Sequence, residues 1–208
     1  MEYCSTVEQI RQYRDSSYDH RPYLPPGVNE KLHSEEFRVG YACFKRQVTA
    51  VLKPKIIFEI GVGLGISALA FMNGSPFSYY YGIDNDLQDH QDFPITPTKF
   101  VNELLQKGGY KYLIENINSQ EISNGPIMAD LVHVDADHSR EATKHDVMVA
   151  WRSTAPRGYI LIDDTRDSNV TAGVFDAIAD IRPGSLDWAY FEDTYTGNIL
   201  ISKHKERL

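Results

Sequence analysis

Carboxylates crowd two short stretches of this sequence, His133-Val134-Asp135-Ala136-Asp137-His138 and Ile162-Asp163-Asp164-Thr165, each at the end of a run of β-branched residues. Adjacent parallel strands lie about 4.8 Å apart, so if these runs are neighbouring strands their terminal aspartates converge. Like charges so placed repel unless a proton or a cation intervenes, and oxygen donors with open positions suit Mg²⁺. Asp135, Asp163 and Asp164 are the candidate metal ligands. The alternative is that they cap helices or hold basic side chains. His138, with an ordinary pKa of about 6.5, is a candidate general base or a packing residue at a helix start. His133 faces a strand interior and is expected to be a satisfied core residue.

A second chemical signal is Glu59-Ile60-Gly61-Val62-Gly63-Leu64-Gly65-Ile66-Ser67. Its glycines let the backbone approach a ligand and deliver it to a helix N-terminus. A dinucleotide fingerprint requires glycine where Ile66 stands, whereas E-x-G-x-G-x-G is a spacing that holds S-adenosylmethionine. A plain strand-to-helix turn is the alternative. Asp84 closes the next apolar run, where a carboxylate can accept hydrogen bonds from both ribose hydroxyls of an adenosine. A calcium loop starting there needs glycine and glutamate where Asp89 and Ile95 stand, so calcium is excluded. Asn118 and Ser119, after a third run, are short polar groups able to meet an adenine edge, or a turn and a helix cap.

These stretches need strands to carry them. The spacing predicts strands over 56–60, 78–83, 111–117, 130–135 and 159–163, buried on both faces. Helices are predicted over 65–72, 96–107, 119–123, 138–154 and 171–181. Repeated βα units imply an α/β fold with a doubly wound, mostly parallel sheet. Strands over 188–192 and 197–202 bring the count to seven and suggest an antiparallel finish. In such sheets ligands bind beyond the carboxyl ends of the strands, where all the residues named above fall. Composition breaks at Lys53-Pro54: residues 1–52, with helices expected over 5–13 and 29–52 around a Pro22 to Gly27 linker, read as a helical appendage, and 53–208 as the ligand-binding domain.

The chain has 208 residues, 21 Lys+Arg against 29 Asp+Glu, a net charge of −8 and two cysteines. That predicts a soluble, cytoplasmic domain with no disulfide framework and no membrane span. The absence of a basic run argues against nucleic acid as a partner on electrostatic grounds and favours a small molecule.

Together these residues resemble the class I S-adenosylmethionine-dependent methyltransferases, specifically the small-molecule O-methyltransferases of the catechol and caffeoyl-CoA type, and also the antibiotic-sugar O-methyltransferases. The likeness spans about residues 55–203. It implies a Rossmann-like methyltransferase sheet, with Glu59, Gly61, Gly63, Gly65, Ser67, Asp84, Asn118, Ser119 and Asp137 holding S-adenosylmethionine, Ser67 at the methionyl carboxylate. Val134-Asp135-Ala136-Asp137-His138-Ser139 looks like the family's fourth-strand motif, whose first aspartate binds metal, and Asp163-Asp164-Thr165 resembles its metal pair. Arg157-Gly158-Tyr159-Ile160 resembles its turn into the fifth strand. Catechol-type enzymes carry lysine where this chain has His138, which is similar to the antibiotic-sugar enzymes. Residues 1–52 match no motif of the family and are expected to form a substrate lid.

The reaction so implied is methyl transfer to a hydroxyl of a small phenolic, sugar-like or natural-product acceptor, with a Mg²⁺ ion orienting the acceptor and His138 taking its proton. Tyr18, Tyr23, Arg38, Tyr41 and the 86–98 loop are candidates to line the acceptor pocket, and the N-terminal appendage suggests a homodimer. Two other readings remain. A nicotinamide oxidoreductase is suggested by Tyr41-Ala42-Cys43-Phe44-Lys45, a Y-x-x-x-K, but it precedes the glycine turn, the wrong order for short-chain dehydrogenases. A non-catalytic nucleoside-binding domain would need no converging aspartates.

Overall fold

Short apolar runs alternating with helical segments fold into one seven-stranded sheet with helices on both faces. The computed structural model describes residues 2–13, 16–85, 97–181 and 184–204. In chain order the elements are α1 (Glu2–Gln12), α2 (Glu35–Phe37), α3 (Phe44–Leu52), β1 (Ile56–Ile60), α4 (Ile66–Gly74), β2 (Tyr79–Asp84), α5 (Pro97–Lys107), β3 (Lys111–Asn116), β4 (Ala129–Val134), α6 (Arg140–Ser153), β5 (Thr154–Ile162), α7 (Ser168–Asp180), β6 (Leu186–Phe191) and β7 (Asn198–Lys203). The strand order is β3-β2-β1-β4-β5-β7-β6, with β7 antiparallel to both neighbours. Strand order reverses between β1 and β4, which opens the crevice where ligands bind in such sheets.

Side chains alternate across the sheet. Ile57, Leu131, Leu161 and Leu200 face the layer of α1, α3, α4 and α5, where they meet Ile10, Val48, Phe71 and Leu105. Phe58, Val132, Ile160 and Ile201 face α6 and α7, against Val147, Val149, Val174 and Ala177. Val7 and Ile10 of α1 belong to the same apolar cluster as the sheet, so the N-terminal helix packs within the core.

The chain departs from its expected elements in three places. The helix expected over 29–52 is broken. Glu30–His33 form a 3-10 turn, Ser34 takes an extended backbone and its hydroxyl accepts from Phe37 N to start α2, and Arg38–Cys43 form a π-helical stretch before α3. The segment after Asn118 is only a 3-10 turn, Ser119–Glu121. β5 starts at Thr154, five residues before the expected Tyr159, and takes in Arg157 at φ 69 opposite an irregularity in β4 between Ala129 and Leu131. The 86–98 loop expected to shape the pocket falls outside the described residues from 86 to 96.

Candidate active site

The glycine turn is built around a backbone contact that no other residue permits. Gly61 has φ +86, donates its N–H to Ile83 O at 2.9 Å, and would place a Cβ 1.9 Å from Asp135 O. Gly65, at φ +67, starts α4. Asp84 Oδ2 accepts from Val62 N at 2.8 Å and Gly63 N at 2.9 Å, so the end of β2 holds the turn from beneath. Gly61→Ala forces backbone apart at both the turn and Asp135. We expect a loss of about 3 kcal/mol or more in urea denaturation, beyond ordinary overpacking.

Beneath the turn lies a buried polar layer on the sheet face that α3 and α4 cover. Glu59 and His133 are direct partners across β1 and β4, and the period of two points both toward those helices. Glu59 Oε1 accepts from Ser67 Oγ at 2.5 Å and contacts His133 Nδ1 at 2.6 Å, while Tyr80 OH donates to Oε2. With Nδ1 bearing the proton, His133 Nε2 is the acceptor facing Lys45 Nζ, 3.1 Å away. Burial, helped by the Lys45 charge, pushes the His133 pKa down and keeps the ring neutral.

Lys45 is fully buried. Its ammonium also donates to Asn198 Oδ1 at 2.7 Å and forms an ion pair with Asp163 Oδ2 at 2.6 Å. Asp163 Oδ1 accepts from Asp164 N at 2.8 Å and from Thr196 Oγ1. Although burial pushes the Asp163 pKa up, the Lys45 charge, with the hydrogen bond from Thr196, outweighs it and holds the carboxyl below the usual range.

The remaining carboxylates stand differently. Asp135 Oδ2 accepts from Tyr41 OH at 2.8 Å, and burial together with Asp163 and Asp164 pushes its pKa well up. Asp164, at φ 53, turns outward from the end of β5 and contacts His138 Nε2 at 3.1 Å. That contact raises the His138 pKa to about 9. Cation-sized groupings with ligand atoms within 4.8 Å of one another join Asp135 to His138 and Asp164, and Asp135 to His133 and Asp163. As a donor set for a hard cation, Asp135 and Asp164 fit, because both are oxygen ligands without a basic partner of full charge apart from the titratable His138; Asp163 faces an ammonium instead.

Both ends open into one cavity of about 550 Å³, the size of a small-molecule site. Gly61, Gly63, Ser67, Asp84, Ser119 and Asp137 line one part of it, and Asp135, His138, Asp164, Phe37, Tyr41 and Thr196 the other. Glu59 and Asp163 are buried beneath the lining. Asn118 is occupied locally: its Oδ1 accepts from Gln120 N and its Nδ2 donates to Glu121. Asp137 Oδ1 accepts from Ser139 N at 2.7 Å at the start of α6. Of the aromatic and basic residues expected around the acceptor, Tyr41 lines the cavity, stacked on Phe37 at 4.7 Å. Tyr18 is buried and Tyr23 is half-exposed. Arg38 is turned to Glu35 and to the carbonyls of Ser16 and Tyr18.

Sequence reasoning passed over Lys45 as part of this site. Its signal was a lysine embedded among the buried Phe44, Val48 and Thr49 of an amphipathic helix. Asp146, behind Ser119, is also buried: Oδ1 accepts from Gln120 Nε2 at 2.8 Å, Oδ2 has no hydrogen-bond partner among the described residues, and burial pushes its pKa up to about 6. A raised acid pKa penalises the folded state only where the carboxylate is charged. The penalty is absent below the unfolded value and full above about 6. Asp146→Asn is therefore expected to add about 2 kcal/mol in urea denaturation near pH 8 and nothing near pH 3.5.

Residues 58–165, just over half of the chain, match the model of a family described as a methyltransferase domain. The chain belongs to this family. No curated protein sequence matches this methyltransferase significantly. Solved structures share its architecture. An O-methyltransferase from Bacillus cereus in complex with SAH is 14% identical with a TM-score of 0.61, over 96% of this chain and 90% of that one. The O-methyltransferase TomG from Streptomyces achromogenes, involved in tomaymycin synthesis and solved with SAM, is 14% identical with a TM-score of 0.59, over 98% and 95%. The SAH-bound Podospora anserina methyltransferase PaMTH1 is 17% identical with a TM-score of 0.59, over 97% and 88%. The fold is that of the class I O-methyltransferases. None of its described helices is long and apolar enough to cross a membrane.

Proposed function

We propose that this methyltransferase moves the methyl group of S-adenosylmethionine to a hydroxyl of a small molecule. One observation carries the reading: a single cavity joins the glycine turn and Asp84 to the Asp135, His138 and Asp164 cluster. The turn, Ser67 and Ser119 hold the cofactor, with Asp84 fixing the turn and accepting from the ribose. Residues 1–52 supply part of the acceptor wall through Leu32, Phe37 and Tyr41, whose stacked rings offer a flat apolar surface.

A neutral hydroxyl is a poor nucleophile at pH 7, so a proton must leave it. His138 is half-exposed at the cavity wall and takes that proton. The Asp164 carboxylate makes the imidazole a stronger base but keeps it protonated at neutral pH while that carboxylate has no other cation. Asp135 and Asp164 would hold a divalent cation such as Mg²⁺. When bound, the cation supplies the positive charge that favours the deprotonated acceptor oxygen.

The test is a calorimetric titration with S-adenosylhomocysteine in chelator and again with Mg²⁺, followed by methyl-transfer assays over hydroxylated acceptors. Micromolar binding or tighter supports the reading; no detectable heat in either buffer removes it.

A further inference from the structure

The cation reading of the acidic cluster treats its three aspartates alike, and their surroundings do not. Asp163 is the one that faces a fully buried ammonium, whereas the group facing Asp164 is the half-exposed imidazole of His138. Lys45 Nζ stands 2.6 Å from Asp163 Oδ2, with both side chains fully buried. Its other contacts, Asn198 Oδ1 and His133 Nε2, hold the ammonium in place beside Asp163. Asp163 Oδ1 is held by Thr196 and by the Asp164 backbone.

Helix geometry explains the arrangement. Tyr41 and Lys45 are four residues apart and share a face, with the ammonium 4.9 Å from the Tyr41 ring. Tyr41 gives Asp135 a neutral hydroxyl, whereas Lys45 gives Asp163 a charge. The Y-x-x-x-K spacing that suggests a dehydrogenase in the sequence thus divides two carboxylates between two kinds of partner.

We propose that Lys45 is the resident cation of the pocket floor: it neutralises Asp163 and keeps it out of divalent-cation binding, leaving Asp135 and Asp164 as the carboxylate ligands. A divalent ion on Asp163 would sit beside the ammonium and be repelled by it, in a buried layer where water screens little. Lys45 is a positioning residue here, acting through Asp163. The proposal rests on the cation site of the functional reading.

Mn²⁺ alone, titrated by calorimetry and by its paramagnetic resonance signal, reads this directly. Asp163→Asn is expected to leave Mn²⁺ affinity within ~3-fold of wild type, whereas Asp164→Asn weakens it ~10-fold or more. Lys45→Met frees Asp163 and is expected to tighten Mn²⁺ ~10-fold or more, and Lys45→Met/Asp163→Asn returns to the wild-type value. An Asp163→Asn loss as large as that of Asp164→Asn overturns the proposal, as does a folded Lys45→Met with unchanged affinity. If wild type takes up no Mn²⁺, a gain of binding in Lys45→Met supports the proposal and its absence overturns it. Should Lys45→Met not fold, recovery of folding in the double variant supports the charge pairing, and failure of both overturns it. S-adenosylhomocysteine titration of the same variants reads the methyltransferase assignment separately, because its failure leaves the Mn²⁺ comparison intact.

Discussion

His138→Ala lowers kcat by ~10²- to 10⁴-fold while S-adenosylhomocysteine binds as in wild type, the expected loss when a positioned base is removed. The imidazole lies on the cavity wall with Asp135 and touches Asp164, so removing it leaves the glycine turn and Asp84 untouched. The same contact fixes the pH behaviour. A base acts only when unprotonated, and Asp164 raises the His138 pKa to about 9. In chelator, His138 is therefore expected to titrate near 9 by NMR, and Asp164→Asn is expected to bring it back toward an ordinary value near 6.5. The pairing also stabilises the fold at pH values below the unfolded pKa and is lost as pH rises through the folded one, so the melting temperature of wild type over Asp164→Asn should converge at alkaline pH. A His138→Ala enzyme with wild-type kcat would remove the histidine from the mechanism.

Asp84→Ala is the second large effect. Asp84 Oδ2 receives the backbone N–H groups of Val62 and Gly63, two residues of the glycine turn that lines the cavity. Hydrogen bonds to a charged acceptor contribute about 1.5–3 kcal/mol each, so losing both is expected to weaken S-adenosylhomocysteine ~100-fold or more. Asp84→Asn keeps an acceptor oxygen without the charge and should lose ~10-fold. Circular dichroism separates this from unfolding, since Asp84 lies at a strand end and the sheet beneath it is held by apolar contacts. Affinity within a few-fold of wild type in the alanine variant would show that neither the turn nor the ribose depends on this carboxylate.

Much of this architecture was legible in the sequence. β1 runs over its expected residues, and the five parallel strands and the antiparallel finish follow from β-branched runs and the turn residues between them. Local periodicity suffices there because a strand buried on both faces must be apolar throughout. It failed over 29–52, where apolar spacing cannot distinguish one long helix from a 3-10 turn, a capped restart at Ser34 and a π-helical stretch. It failed again over 119–123, where the expected helix is only a 3-10 turn, while Asn118 takes the capping role that was the alternative for it.

Sequence alone determined the order of strands and helices and that polar residues stand at their carboxyl ends, because both depend on residues close together in the chain. The glycine turn, the Asp84 end of β2 and the aspartates after β4 and β5 are all readable in this way. Only the tertiary structure decided how their charges are matched. Lys45 meets Asp163 across 118 positions and Tyr41 meets Asp135 across 94. No local pattern encodes those meetings; they follow from α3 and the π-helical stretch before it packing on the sheet face where Glu59, His133 and Asp163 point inward. A buried ion pair forms there because an unpaired charge in that layer costs far more than the pairing does.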